Sequence, residues 1–168
     1  MKFDRVYKEL LKELFNTKQE TEWSFYDGGY STILEGPDGT TYVLSLAPFY
    51  EVELPAELFN IKQLTPENWK TLQKGAWHVE FVSEHDEGSV DITGDKGINA
   101  SKVFGLIGNA LLDKVKSNPN EFRSIVFSAK EKSRRSLYLR LAPILAKKLN
   151  KQLIVSSDNE WFFILSKS

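Results

Sequence analysis

Between residues 89 and 128 the chain spells a strand, a glycine-bearing turn, a long amphipathic helix and a second strand. Ser89-Val90-Asp91-Ile92-Thr93 alternates apolar and polar residues, as a short strand does. Gly94-Asp95-Lys96-Gly97 interrupts it. Val103, Ile107, Ala110, Leu111 and Val115 then recur at helical spacing until Asn118-Pro119-Asn120 stops the run. Ser124-Ile125-Val126-Phe127-Ser128 is apolar without alternation, the mark of a strand covered on both faces. Strand, covering helix and strand in that order predict a crossover between parallel neighbours.

The remaining pattern predicts mostly antiparallel neighbours. Phe3, Val6, Tyr7, Leu10, Leu11 and Leu14 form one apolar stripe of a helix over residues 3–15, with Asn16-Thr17 at its end. Residues 23–26 read as a strand followed by Asp27-Gly28-Gly29, a turn. Residues 31–35 and 41–46 flank Gly36-Pro37-Asp38-Gly39-Thr40 and predict a hairpin. Residues 49–54 suggest another strand, and residues 55–74 are irregular or helical, with Thr65 capping a helix that starts at Pro66. In residues 77–83, Trp77, Val79 and Phe81 alternate with His78, Glu80 and Val82. Residues 84–88 read as a charged turn. Ser133 is predicted to cap a helix with Leu137, Leu141 and Leu145 on one stripe, broken or kinked at Pro143 and ended at Asn150. Residues 152–156 and 160–165 close the chain as strands around Ser157-Asp158-Asn159. No repeat or loose linker divides the sequence. The expected fold is α+β: one domain over residues 1–168, with a mixed, mostly antiparallel sheet and helices on both faces.

Composition removes several classes of function. With 41% apolar and 27% charged residues, the 168-residue chain supports a packed core. It has no cysteine, which excludes disulfides, thiol nucleophiles and thiolate metal sites. No apolar run approaches the roughly 20 residues that span a bilayer, and Met1-Lys2-Phe3-Asp4-Arg5 lacks the apolar block of a secretory signal. A soluble cytoplasmic protein with no membrane partner is expected. His78 and His85 are the only histidines, and His85-Asp86-Glu87 is not a metal spacing, so no metal is expected. No serine-hydrolase elbow, phosphate-binding Walker loop or dinucleotide fingerprint occurs.

Charge is divided along the chain. Residues 1–100 carry 9 Lys and Arg against 18 Asp and Glu, whereas residues 101–168 carry 13 against 5. Either the two halves fold together and their fields partly cancel, or the basic segment around Lys130, Lys132, Arg134, Arg135 and Arg140 faces an anionic ligand. No zinc-finger spacing, RNA-binding aromatic motif or basic-region heptad directs that segment to nucleic acid.

Residues 77–168 resemble the GNAT family of N-acetyltransferases, and more closely a divergent GNAT-like group common among tailed-phage proteins. The likeness runs through Val90-Asp91-Ile92-Thr93, the loop Gly94-Asp95-Lys96-Gly97-Ile98-Asn99, the strand Ile125-Val126-Phe127-Ser128-Ala129, the helix Ser133-Arg134-Arg135-Ser136-Leu137-Tyr138-Leu139-Arg140-Leu141 and the closing strand Trp161-Phe162-Phe163-Ile164-Leu165. It implies that Gly94, Lys96, Gly97, Ile98 and Asn99 would cradle the diphosphate of acetyl-CoA with backbone N–H groups, and that those near Ile92 would polarise the thioester carbonyl. It places a general acid on Tyr138 and leaves Glu80, with Glu84 and Asp91 behind it, as a general base. Each has a plainer reading: Glu80 and Glu84 as solvated carboxylates, Tyr138 as a packing residue, Gly94 and Gly97 as turn glycines. Gly94 and Asn99 also depart from the family's loop pattern, and Ala142-Pro143-Ile144 replaces its glycine–aromatic turn. Two functions are therefore expected. One is a non-catalytic GNAT-like protein that binds a phage or host protein, in the host cytoplasm or the virion, without a cofactor. The other is an acetyl-CoA-dependent N-acyltransferase.

Overall fold

A computed structural model describes residues 21–36, 39–49, 61–83, 98–129 and 132–167. Among the described residues seven strands form one open sheet: β1 (Ser24–Tyr26), β2 (Gly29–Glu35), β3 (Thr41–Pro48), β4 (Ala76–Ser83), β5 (Ser124–Ser128), β6 (Gln152–Val155) and β7 (Trp161–Leu165), in the spatial order β1-β2-β3-β4-β5-β7-β6. Three helices of the described residues accompany it: α1 (Pro66–Gln73), α2 (Ile98–Ser117) and α3 (Lys132–Lys148). The sheet is antiparallel except where β4 runs parallel to β5. The fold is α+β, with a mixed and mostly antiparallel sheet.

Local chemistry accounts for the connections. Asp27 and Gly28 both take positive φ, 57° and 80°, and close β1 onto β2 in a two-residue turn that matches strand twist. Gly29 follows because the Leu46 carbonyl oxygen lies 2.9 Å from where a Cβ would stand. Gly39, at φ 81°, turns β2 into β3. At α1, the Asn68 backbone N–H donates to the Thr65 hydroxyl at 3.1 Å while the Thr65 N–H donates to the Asn68 side-chain oxygen at 3.0 Å, a reciprocal cap ahead of Pro66. Asn150 ends α3 in the left-handed region at φ 55°, and the Lys151 N–H reaches back to the Ala146 carbonyl at 2.8 Å.

The core has two parts, one on each face of the sheet. On the larger side α2 and α3 lie over Leu44, Leu46, Val79, Phe81, Ile125, Phe127, Phe162 and Ile164. On the other, Leu72 of α1 joins Phe49, Leu64, Val126, Trp161, Phe163 and Leu165. β5 and β7 are therefore covered on both faces, which explains their unbroken apolar sequences.

Three expectations need correction. The parallel partner of β5 is β4 rather than the expected residues 89–93, and β7 pairs along its other edge. Strand pairing is non-local, and periodicity carries no record of which strand lies beside which. α3 runs through Pro143 without interruption. The ring points to solvent and Leu139, whose carbonyl loses its donor, is exposed, while Leu141, Ala142, Leu145 and Ala146 are buried around them. Packing of that face offsets the roughly 3 kcal/mol disfavouring an internal proline. α3 also begins at Lys132, placing Ser133 inside its first turn rather than at the cap. The predicted helix over residues 3–15, the strand over 89–93 and all but Phe49 of the strand over 49–54 lie outside the described residues.

Candidate functional site

The sheet opens at one place. β4 pairs with β5 only over Ala76–Val79 against Ser124–Phe127, yet β4 continues to Ser83 alongside β3. From Glu80 onward the edge of β4 that faces β5 has no strand partner among the described residues. This fork lies beside Glu80 and Tyr138, two of the residues singled out from sequence.

Tyr138 stands on the α2–α3 side of the fork. It is 2% exposed, and its ring meets Phe127 at 5.1 Å, Phe162 at 5.7 Å, and Phe81 and Phe104 at 6.1 Å each. Most of these contacts are edge-to-face, the arrangement favoured by ring quadrupoles. Glu80 stands on the opposite side. Phe81 points to the helices, so its neighbour Glu80 points away from them, and the Glu80 side chain is 68% exposed. The two candidate catalytic residues are thus separated by the sheet.

Ile98 and Asn99 form the start of α2. Ile92, Gly94, Lys96 and Gly97, with Glu84 and Asp91, lie outside the described residues. Among the described residues no His, Asp and Glu cluster could hold a metal ion, and no helix is long and apolar enough to cross a membrane.

The fork also assembles a group that sequence reasoning did not connect. His78 projects on the Glu80 side, and its Nδ1 is 3.5 Å from the Glu80 Oε1. Its Nε2 is 3.0 Å from the Ser128 hydroxyl, which reaches it from the neighbouring strand. With the proton on Nδ1, facing the carboxylate, Nε2 is the acceptor and the Ser128 hydroxyl donates. The Trp161 ring, 6.3 Å away, closes one side. Burial pushes His78 below the ordinary imidazole range, and the Glu80 charge partly opposes this. The two-residue spacing of His78 and Glu80 was visible in the sequence as a shared strand face. Ser128 was not, because its proximity depends on the parallel register.

No known protein family, curated protein or solved structure matches the chain.

The basic half of the chain does not stand apart from the acidic half. Lys114 of α2 lies over the Tyr30 ring at 4.0 Å, with Trp23 and Phe122 at 5.5 and 5.8 Å. The Tyr30 hydroxyl donates to Glu121 at 2.6 Å, and this hydrogen bond together with burial holds its proton more firmly than usual. Part of the acidic half's aromatic surface is covered by a basic side chain.

Proposed function

We propose that the chain is a GNAT-like protein of the tailed-phage type that works through protein contacts rather than through acyl transfer by Tyr138 and Glu80. Support for the fold is the order of its second half: two parallel strands joined by a helix, a fork between them, a helix bearing Leu137-Tyr138, and a closing hairpin. The phage and host settings, cytoplasmic or virion, come from the resemblance of residues 77–168.

The observation that carries the contact reading is an apolar row on the side of the sheet away from α2 and α3. Ile33, Val43 and Val82 stand in register across β2, β3 and β4, and Ile33 is 68% and Val82 40% exposed. Edge strand β1 adds Tyr26 on the same side, at 82% exposure. Beside it runs an open groove of about 410 Å³ lined by Tyr26, Asp27, Tyr30, Ser45, Ala47 and Pro48. Large exposed side chains grouped in this way suit association. The test is cross-linking from cells that express the chain. Wild type should retain a defined partner that Ile33→Glu loses while keeping its fold. Identical capture by both, or by neither, overturns the reading.

The His78–Glu80 pair favours a second reading, an acetyl-CoA-dependent N-acyltransferase with its base on β4. A ligand at 100 times its Kd stabilises by about 2.7 kcal/mol. Under the first reading millimolar acetyl-CoA leaves the melting temperature unchanged. An upward shift that Gly97→Val abolishes would instead establish the second.

A further inference from the structure

The geometry points to Ser128 as a nucleophile activated by His78 and oriented through Glu80, able to take an acyl group from a small activated ester. Three observations carry this. The Ser128 hydroxyl is within hydrogen-bond reach of an imidazole nitrogen, at 3.0 Å. The opposite ring nitrogen faces a carboxylate oxygen at 3.5 Å, a looser contact of the kind that tightens when substrate binds. The three side chains meet where β4 and β5 part, on the side of the sheet away from Tyr138, and Ser128 is only partly covered. Alternate residues of a strand aim their N–H groups at opposite edges. Among the described residues β4 has no strand partner on that edge from Glu80 to Ser83, so alternate residues there aim main-chain donors toward the fork, where a developing oxyanion could accept from them.

The chemistry balances without a cofactor. The Ser128 oxygen bonds to the ester carbonyl carbon as its proton passes to His78 Nε2. The bond from carbon to the alkoxide leaving group breaks, and the proton on Nε2 neutralises that group. Water then attacks the acyl-serine, giving one proton to His78, and the Ser128–acyl bond breaks as this proton returns to the serine oxygen. The products are a carboxylic acid and an alcohol. The imidazole remains neutral at rest, the state such a base needs, because burial disfavours its charged form. This site is independent of whether acetyl-CoA binds.

The test uses the full chain with two probes, a fluorophosphonate and p-nitrophenyl acetate, read by intact mass and peptide mapping. A single adduct on Ser128 is expected, absent in Ser128→Ala. His78→Gln should slow labelling about 100-fold, the lower range for a positioned base. His78 is buried, so that variant is compared only after its circular dichroism matches wild type. Glu80→Gln, changed at an exposed position, provides the second variant and should slow labelling several-fold. Absence of a Ser128 adduct in folded wild type overturns the assignment. So does an adduct formed equally fast in folded His78→Gln, or equal labelling in Glu80→Gln.

Discussion

Tyr138 is a keystone of the core on the α2–α3 side of the sheet. Four phenylalanines surround its ring, and almost none of it meets water. Tyr138→Ala should destabilise the protein by about 3–5 kcal/mol, the range for losing a large buried aromatic. Urea denaturation measures this, and a loss below 1 kcal/mol would mean that the site collapses without harm. His78 yields a prediction in pH. Its folded-state pKa is lowered, chiefly by burial, so the unfolded chain binds its proton first as pH falls. The native state is then favoured fully above the unfolded value of about 6.5 and loses stability as pH drops through it toward the folded value. Wild type measured at pH 7.5 and pH 5.5 should show a larger loss than His78→Gln. Equal slopes would place the pH sensitivity elsewhere. The contribution of Ser128 was hidden for a related reason. Ser128 and His78 are far apart in sequence, and only the alignment of His78 opposite Val126 brings them together.

At the scale of elements, the signals that survived are those with local causes. The Asp27-Gly28 turn, the Gly39 turn and the Thr65-Pro66 cap each follow from the conformational preference of one or two residues. Alternation in β4 was legible because Trp77, Val79 and Phe81 face α2 and α3 while His78 and Glu80 point to the opposite side. What could not be read was the partner of each strand, hence the misplaced parallel neighbour of β5. Pro143 failed as a signal because its missing donor falls on the solvent side of α3, where neighbouring packing decides the outcome. Two substitutions examine these local causes. Thr65→Ala removes a reciprocal cap and should cost about 1 kcal/mol. Gly29→Ala drives a methyl group into the Leu46 carbonyl oxygen and should cost about 1–3 kcal/mol. Thermal melts of both variants against wild type check the pair, and a stabilised Gly29→Ala would show that β3 yields at that point.

Across the whole molecule, the two halves of the sequence meet at an aromatic contact. Lys114 belongs to the basic half and stacks over Tyr30 of the acidic half, which in turn is hydrogen-bonded to Glu121. Lys114→Met keeps much of the packing and removes the charge. It should lower stability by about 0.5–2 kcal/mol, the range for cation–π contacts from exposed to desolvated. A neutral result in chemical denaturation would reduce the contact to simple coverage. The sheet order carries a separate consequence. β7 lies between β5 and β6 and bonds to both, although it is the last of the seven strands along the chain. On the ribosome, β6 has no place in the sheet, and β5 has only β4 beside it, until Trp161–Leu165 is synthesised. Nascent chains arrested short of that segment should remain open to protease, and the sheet should close in a late, concerted step.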